Sequence, residues 1–451
     1  MISITPLEAW IREKAQIGPD LTGRSFTEAL KGYQLQRMNE VIDYARRNSH
    51  FYRRHLASLP MAPLSVLSDI AKIPFTTPSD IGNDPFSFLA VRQDDVARIV
   101  TLRTSGSTGE AKRLFFTEGD MDLTVDFYHH GMSTFVQPGQ RVAIFFPGEI
   151  PYSVGDLLLR GLQRMDVQAL VYGLVTNPFD AAEAVASFDA HCIVGIPTQV
   201  LAVAGSPAGA AIGKGSIESV LLSADYVPRA LVQTLEKVWG CRVFTHYAMT
   251  EMGHGGGVEC EALAGYHLRE ADLYFEVIDH KTGETCPDGK IGEVVFTTLT
   301  RQGMPLIRYR TGDIARMITQ PCPCGSILRR MDYVRGRWNG LLRLDTNCTL
   351  TVYEMDEALF GLPGLLDYRA TVSDVMDRRF RLHIDMHSAE ENSPTDHEVL
   401  QCLNKVEAIR KGVARGILET PTVSFSAEGL WTPSSALKRK IITTKKSEGD
   451  A

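Results

Sequence analysis

Short apolar runs alternate with helical segments between residues 142 and 245, and this alternation constrains the fold more than any other feature of the sequence. It is typical of a parallel α/β sheet whose two faces are covered by helices. We predict strands at residues 142–146, 167–172, 192–196, 219–223 and 242–245, and helices at residues 154–165, 178–188 and 230–239. Ligands bind at the carboxyl ends of such strands, so residues 223–225 and 246–247 are expected to converge on one ligand.

The flanking sequence predicts more than one domain, because 451 residues are too many for one ordinary hydrophobic core. A helix before the sheet is predicted from the spacing of Leu35, Met38, Ile42 and Ala45. A second helix is predicted at residues 115–132. Antiparallel strands at residues 275–279 and 292–297 predict a small β subdomain. The C-terminal part is predicted to be α+β, with helices at 354–362 and 397–415 and strands at 368–374, 380–386 and 422–425.

Composition excludes several classes of protein. Hydrophobic residues make up 44% and charged residues 22%, as in soluble globular proteins. The net charge of −7 argues against nucleic-acid binding, which needs a basic surface. We expect neither a membrane span, which needs about 18 apolar residues, nor a secretory signal. Eight cysteines in so long a chain fit a reducing cytoplasm. Whether the chain acts alone or as a homodimer is left open.

A loop rich in glycine and hydroxyl groups follows the apolar run at residues 97–102, which is itself a predicted strand. Its glycines allow close backbone approach to a ligand, and successive N–H groups can bind an anion. The loop residues are Thr104, Ser105, Gly106, Ser107, Thr108 and Gly109, and Lys112 follows as a cation. The spacing differs from that of a Walker A motif. Taken alone, the pattern fits a polyphosphate site or an ordinary polar surface loop equally well.

Two further motifs follow in order: residues 246–251, His-Tyr-Ala-Met-Thr-Glu, and residues 308–313, Arg-Tyr-Arg-Thr-Gly-Asp, with Gly336-Arg337 after them. Together with the loop they resemble the core motifs of the adenylate-forming enzymes, and most of all those of the phenylacetate-CoA ligase-like branch. The resemblance extends from about residue 30 to about residue 440. It implies an α/β adenylate-forming body at residues 1–338, with parallel sheets and a small β subdomain. A small α+β lid domain would follow at residues 341–451.

The resemblance also implies roles for single residues around ATP. Tyr247 matches a tyrosine that stacks on adenine, although a core tyrosine is the alternative. Ser223, Ala224 and Asp225 match a segment that contacts the adenine amine and the ribose, but they depart from its usual small-Gly-Glu pattern. Asp313 matches a ribose-binding aspartate.

Thr250 and Glu251 match a phosphate-contacting threonine and a Mg²⁺-binding glutamate. The alternative is a helix start with Thr250 as N-cap, and both interpretations can hold together. Arg308 and Arg310 are interpreted as surface charge. Arg337 matches an arginine at the domain junction, with Gly340 at the hinge position.

The C-terminal tail resembles the segment that carries a catalytic lysine in this superfamily. An ungapped alignment places Leu437 at that position, so Lys438 fits if the loop shifts by one residue. Lys440 then falls at a family arginine. A merely basic chain end is the alternative interpretation.

Cys260, His267, Cys322 and Cys324 form a separate pattern. Three thiolates and one imidazole suit a tetrahedral zinc site, and four protein ligands would make it structural. Some phenylacetate-CoA ligase-like proteins carry a similar set. The alternative is a group of incidental free thiols.

The resemblance implies that the chain forms an acyl-AMP from ATP, Mg²⁺ and a small carboxylic acid and then passes the acyl group to a thiol, for which it implies coenzyme A. The residues implied in catalysis are Lys112, Thr250, Glu251 and Lys438. Phe146 and Tyr152 favour an aryl or other apolar acid, although core packing would look the same. Two alternatives stay open. The acyl-AMP is passed to an amine, a carrier protein or a reductase, or the chain binds nucleotide without catalysis.

Overall fold

The computed structural model of the protein describes residues 4–102, 111–346, 348–375, 379–388, 393–426 and 439–444. The chain divides into two compact units. The first comprises Met1–Gln140, Pro147–Ala169 and Phe244–Val334, and the second comprises Arg141–Phe146, Leu170–Val243 and Arg335–Ala451. None of the helices in the described ranges combines the length and the apolar character that a membrane crossing requires.

Helices form the N-terminal part of the first unit. Its α-helices are Pro6–Lys14, Gly23–Asn48, His50–His55, Pro78–Asn83, Glu118–Met132 and Val154–Gln163. Short 3₁₀ helices occur at Leu67–Lys72, Pro85–Phe88, Gln93–Asp95 and Thr250–Met252. The long helix Gly23–Asn48 confirms the predicted helix, but its buried face differs. Gln34, Met38, Val41 and Ala45 are buried, whereas Leu35 and Ile42 are partly exposed.

A β-hairpin precedes the helix Glu118–Met132. Strand Arg98–Leu102 pairs antiparallel with strand Lys112–Phe116, and Leu102 lies opposite Lys112. The predicted helix start at residue 115 is therefore wrong. The helix begins after Thr117, whose hydroxyl accepts the N–H of Asp120 while the Asp120 carboxylate accepts the N–H of Thr117. This reciprocal capping box fixes the start at Glu118.

Two antiparallel sheets complete the first unit. Strands Leu273–Ile278, Gly292–Thr298 and Tyr309–Ala315 form a three-stranded sheet, in agreement with the predicted small β subdomain. The second sheet continues from strand Arg242–Tyr247 by antiparallel pairing through Gly257–Glu259, Tyr266–Leu268, Arg330–Met331 and Met317–Ile318. Strand Arg242–Tyr247 runs two residues beyond its predicted end, so it includes His246 and Tyr247.

The second unit contains the predicted parallel sheet. Arg141–Phe145 pairs in parallel with Cys192–Gly195, which pairs in parallel with Ser219–Leu222. A further strand, Gln168–Val171, spans the border between the two units. The α-helices of the second unit are Pro178–Ser187, Pro197–Gly205, Pro207–Ala211, Arg229–Trp239, Val352–Leu359, Asp396–Leu403 and Glu407–Ala414. One buried apolar core contains residues of the parallel strands, such as Ile193, and C-terminal residues such as Leu350.

The C-terminal part is α+β, as predicted, but one predicted helix is wrong and three of the observed strands were not predicted. A hairpin Leu342–Asp345 and Cys348–Leu350 precedes a four-stranded sheet in the order Thr422–Phe425, Arg379–Ser388, Leu365–Val375, Ile442–Thr444. Neither the hairpin nor the strand Ile442–Thr444 was predicted. The single helix predicted at residues 397–415 is wrong, because the chain turns at residues 404–406 and two helices form. The amide of Val406 donates to the carbonyl of Leu403, which closes that turn.

Candidate functional site

Lys112 and Glu251, which are 139 positions apart in the sequence, meet in the first unit. Nζ of Lys112 donates to Oε1 of Glu251 at 2.5 Å, and the Tyr309 hydroxyl donates to the same oxygen at 3.0 Å. Glu251 is buried in the 3₁₀ turn Thr250–Met252, and Lys112 begins a strand with 15% of its side chain exposed. The structure therefore brings together a cation proposed for phosphate and a carboxylate proposed for Mg²⁺.

Arg301 binds the backbone of the turn that carries Glu251. Nη1 of Arg301 donates to the Glu251 carbonyl at 2.7 Å, and the guanidinium lies 4.7 Å from the Phe116 ring. Gly253 follows the turn with φ +75°, and a Cβ there would lie 3.0 Å from Nη2 of Arg301. Burial lowers the pKa of Arg301 to about 10, so it remains a cation at neutral pH. Sequence patterns gave no signal for this residue.

Thr250 is partly buried and belongs to the turn itself. The residue that precedes the 3₁₀ turn is Met249, and no side chain caps it. The interpretation of Thr250 as an N-cap is therefore wrong, and its hydroxyl does not serve to start a helix.

Tyr247 and Asp313, predicted to contact adenine and ribose, also meet. The Tyr247 hydroxyl donates to Oδ2 of Asp313 at 2.9 Å, and both residues are buried. The Asp313 amide donates to the Thr311 hydroxyl at 2.9 Å, which fixes the backbone of the strand at Asp313. Gly256 allows close packing here, because a Cβ would lie 3.2 Å from Cδ1 of Tyr247 and 2.4 Å from Sδ of Met252.

The interpretation of Arg308 as surface charge is wrong, because the residue is buried. Its side chain is 2% exposed and donates from Nε and Nη2 to the two carboxylate oxygens of Glu276 at 3.1 and 2.9 Å. Its backbone adopts φ +49°, an unusual value for a residue with a side chain. Arg308 thus fixes the chain immediately before Tyr309, whose hydroxyl binds Glu251. Arg310 is more exposed and pairs with Glu293.

Ser223, Ala224 and Asp225 lie in the second unit, directly after strand Ser219–Leu222. Ser223 is buried, and Ala224 adopts φ +78°. Oδ1 of Asp225 accepts the Tyr226 amide at 2.8 Å, while Oδ2 accepts two bonds from Arg439, a residue that sequence patterns did not indicate.

Arg337 precedes the 3₁₀ turn Trp338–Gly340, and its carbonyl accepts the Gly340 amide at 3.0 Å. Gly336 is the residue of this segment with a positive φ, +137°. Lys440 is exposed. The loop residues Thr104, Ser105, Gly106, Ser107, Thr108 and Gly109, together with Leu437 and Lys438, lie outside the described residues.

The four predicted metal ligands form a compact cluster in the first unit. Their ligand atoms all lie within 4.8 Å of one another, and the sulfurs of Cys260 and Cys322 are 3.5 Å apart. Sγ of Cys324 lies 3.4 Å from Nε2 of His267. Neighbouring ligands of a tetrahedral zinc ion lie about 3.5–3.8 Å apart, given Zn–S bonds of about 2.3 Å. Burial lowers the pKa of His267 to about 4, so its imidazole is neutral, as a metal ligand must be.

The local chain explains why this cluster forms. Gly325 adopts φ +85°, and its amide donates to the Cys322 carbonyl at 3.0 Å. Residues 322–325 therefore form a turn that carries two of the ligands, Cys322 and Cys324. The other two ligands come from adjacent strand segments: Cys260 follows Gly257–Glu259, and His267 lies in Tyr266–Leu268.

Comparison with known proteins gives concordant matches. The family model described as "AMP-binding enzyme" matches residues 52–300. Phenylacetate-coenzyme A ligase of Thermus thermophilus is 26% identical over 88% of this chain and 92% of its own length. The phenylacetate-coenzyme A ligase of Aromatoleum evansii is 30% identical over 70% and 72%. The crystal structure of 2-hydroxyisobutyryl-CoA ligase with 2-HIB-AMP in the postadenylation state has a similar fold, with a TM-score of 0.75 at 18% identity over 93% of this chain and 90% of that one.

Proposed function

The chain belongs to the AMP-binding enzyme family, and from this membership we propose that it is an AMP-forming acid–CoA ligase. Such an enzyme activates a carboxylic acid with ATP and then transfers the acyl group to coenzyme A. The curated relatives that cover most of this chain are phenylacetate-CoA ligases, which favours coenzyme A over an amine, a carrier protein or a reductase as the acceptor.

One observation carries the proposal further than similarity alone. Four residues implied by the motifs are paired within one unit, Lys112 with Glu251 and Tyr247 with Asp313. The members of each pair are far apart in the sequence. Such pairs are expected in a site that binds a nucleotide and its phosphates.

In the first half-reaction, a carboxylate oxygen of the acid attacks the α-phosphorus of ATP. The new bond joins this oxygen to phosphorus, and the bond from the α-phosphorus to the bridging oxygen breaks, which releases pyrophosphate. Negative charge develops on the phosphate oxygens, and a nearby cation stabilises it. The ammonium of Lys112 is suited to this role, because it ends a flexible stem that can turn from Glu251 toward a phosphate.

Mg²⁺ would be held by Glu251 together with phosphate oxygens of the substrate. The Glu251 carboxylate fits this task, because it is a hard oxygen ligand and already binds one cationic group at Oε1. A bound Mg²⁺ neutralises charge on the phosphates. Arg301 holds the backbone of Glu251, and Tyr309 binds the carboxylate, so both orient it.

In the second half-reaction, the thiolate of coenzyme A attacks the acyl carbon, and AMP leaves with the phosphate oxygen that joined them. We propose that residues 341–451 act as a lid that turns about the segment of Arg337 and Gly340 between the two steps. Lys438 is the candidate for the lysine that contacts the reacting carboxylate and the α-phosphate. Gating by domain movement is common in enzymes with two steps.

The acid is proposed to be aryl or otherwise apolar. Phe146 is buried, and the Tyr152 ring lies 4.7 Å from the guanidinium of Arg160. The named substrates of the similar ligases, phenylacetate and 2-hydroxyisobutyrate, set the range to test first.

Zinc would be held by Cys260, His267, Cys322 and Cys324, whose spacing suits a tetrahedral ion. Four protein ligands leave no position for a substrate. We therefore propose a structural role for this metal and no part in the reaction.

The test is ATP–pyrophosphate exchange with a panel of acids, followed by thioester formation with coenzyme A. Phenylacetate, benzoate, 2-hydroxyisobutyrate, octanoate and phenylalanine cover the relevant chemistry. We expect exchange with an aryl or apolar acid, and acyl-CoA formation with the same acid. Exchange without thioester formation would replace coenzyme A by another acceptor. ATP binding without exchange for any acid would contradict the proposal and support a non-catalytic nucleotide-binding protein.

A further inference from the structure

Arg439 joins the C-terminal tail to the segment that carries Asp225, 214 positions earlier in the chain. Its backbone N–H and its Nε both donate to Oδ2 of Asp225, at 3.2 and 3.1 Å. Because main chain and side chain bind the same oxygen, the contact fixes the path of the tail as well as the side chain.

The guanidinium of Arg439 is also held on its other side. Nη2 donates to Oδ2 of Asp356 at 2.9 Å, and Nη1 lies 3.8 Å from Oδ1 of Asp367. Its carbon lies 4.6 Å from the centre of the Phe360 ring. Asp356 is fully buried and accepts the Tyr368 hydroxyl at 2.5 Å, so its carboxylate is itself fixed.

One cation therefore faces three carboxylates, with only 10% of the Arg439 side chain exposed. A planar guanidinium can bind several carboxylates at once in fixed directions, which an ammonium cannot do. If Arg439 were lost, three acidic groups would remain close together with no cation among them. Because Asp356 and Asp367 belong to the C-terminal part itself, a turn of residues 341–451 would break only the contact with Asp225.

The anchor lies at a functionally sensitive position of the tail. Arg439 is separated by a single peptide bond from Lys438, the candidate catalytic lysine. Just beyond it, strand Ile442–Thr444 pairs in parallel with Leu365–Val375, with Ile442 opposite Thr371. The tail is thus held by Arg439 and by this strand, both on the C-terminal side of Lys438.

We propose that Arg439 is a positioning residue that fastens the C-terminal tail to Asp225 for the first half-reaction, in which Lys438 is the candidate lysine. This rests on the proposed function, because Lys438 and Asp225 have their roles only in that reaction. In this role Arg439 does not touch the substrate. It acts through the backbone that it holds.

A second contact joins the same parts of the chain without involving the tail. The Tyr226 hydroxyl donates to Oε1 of Glu357 at 2.6 Å, and the Arg229 amide donates to the same oxygen at 3.0 Å. Tyr226→Phe therefore serves as a matched control. It loosens the junction of these segments but leaves all bonds of Arg439 in place.

The first measurement is hydrogen–deuterium exchange on full-length wild type, Arg439→Gln, Arg439→Lys and Tyr226→Phe. In Arg439→Gln, we expect the amides of residues 440–444 to exchange about 10-fold faster or more, with a smaller change in Arg439→Lys. Tyr226→Phe should leave them unchanged. Unchanged exchange in a folded Arg439→Gln variant, or equal loosening in Tyr226→Phe, would overturn the anchor whether or not the enzyme is active.

The second measurement is ATP–pyrophosphate exchange by the same variants. A misplaced catalytic group costs about 10- to 100-fold, so we expect kcat to fall by that factor in Arg439→Gln while the KM for ATP changes little. Arg439→Lys should recover part of kcat. An unchanged kcat together with a loosened tail would overturn the positioning role. Absence of exchange by the wild type would instead refute the proposed function, while the amide measurement still tests the anchor.

Discussion

Each unit contains a cluster of buried charged side chains, and the two clusters differ. One suits the binding of a ligand, and the other suits the anchoring of a chain segment. In the first unit, one lysine faces one glutamate, and 15% of the lysine side chain is exposed. In the second unit, one arginine faces three aspartates. The first cluster pairs one acidic group with one flexible basic group, whereas the second has three acidic groups around one planar cation held by several bonds.

The difference has a physical consequence. Lys112 can leave Glu251 for another anion, because an ammonium on a four-carbon stem reorients easily and a metal ion can replace it at the carboxylate. Arg439 cannot leave Asp356 and Asp367 without stranding buried carboxylates, which is costly. The first cluster is therefore suited to exchanging partners during a reaction, and the second to fixing a segment of chain.

The largest expected effect comes from removing the carboxylate of the exchangeable cluster. Glu251→Ala should lower ATP–pyrophosphate exchange by about 1,000-fold or more, because the charge that organises Mg²⁺ and phosphate is lost. The variant should still fold, since Lys112 can turn to solvent. Circular dichroism checks the folding, and Tyr309→Phe, which removes one hydrogen bond to the same carboxylate, is the milder control. Normal turnover of Glu251→Ala at low Mg²⁺ would remove Glu251 from the site.

The second prediction compares the two cations directly through stability. Arg439→Met should lower the free energy of unfolding by about 3–5 kcal/mol, because it leaves Asp356 and its neighbours buried without their cation. Lys112→Met should cost only about 1–2 kcal/mol, since Glu251 keeps the Tyr309 hydrogen bond. Urea unfolding of both variants measures the difference. Equal losses would show that the arginine cluster holds the fold no more firmly than the lysine pair.

The two clusters also differ in how far the sequence predicted them. Lys112, Glu251, Tyr247 and Asp313 lie in short motifs whose residue types suit phosphate, metal and nucleoside, so the sequence singled them out, and the structure pairs Lys112 with Glu251 and Tyr247 with Asp313. Arg439 binds partners 214 and 83 positions away, and nothing in its local sequence indicates them. Long-range ion pairs are set by the topology, which single-sequence patterns do not contain.

The same limit explains the errors in the fold. The alternating strands and helices of the parallel sheet were predicted well, because periodicity reports burial directly. The helix start at residue 115 was wrong, although the Thr117–Asp120 capping box was a readable signal for a start at Glu118. No such signal marks the turn at residues 404–406. Arg308 was taken as surface charge, because only the tertiary fold supplies its buried partner Glu276.

The cysteine–histidine cluster extends the comparison to a site where the cation is a metal. We expect about one zinc per chain by elemental analysis, and Cys322→Ser should abolish it and lower the melting temperature by about 3–6 °C. Cys286→Ser is the matched control, because it changes a cysteine outside the cluster. Exchange activity per folded molecule should survive in Cys322→Ser. Loss of zinc with no change in melting temperature would contradict the structural role.

The smallest expected effect concerns the protonation of Asp356 in the arginine cluster. Burial raises the pKa of Asp356 to about 7. Arg439 opposes this rise, whereas Asp225 and Asp367 add to it. The Tyr368 hydroxyl donates to the same carboxyl group. Between about pH 4 and pH 7 the native protein would then keep a proton that the unfolded chain has lost. Stability contributed by this group therefore falls as the pH rises through that window and changes no further above it.

Asp356→Asn tests this balance, because an amide keeps the shape of the side chain and cannot ionise. The difference in unfolding free energy, variant minus wild type, should rise by on the order of 1 kcal/mol from pH 5 to pH 8. A difference that stays flat would mean that Arg439 keeps Asp356 ionised throughout. Arg439 would then face a negatively charged Asp356 at pH 5 as well, and it would be still more firmly fixed than its hydrogen bonds alone imply.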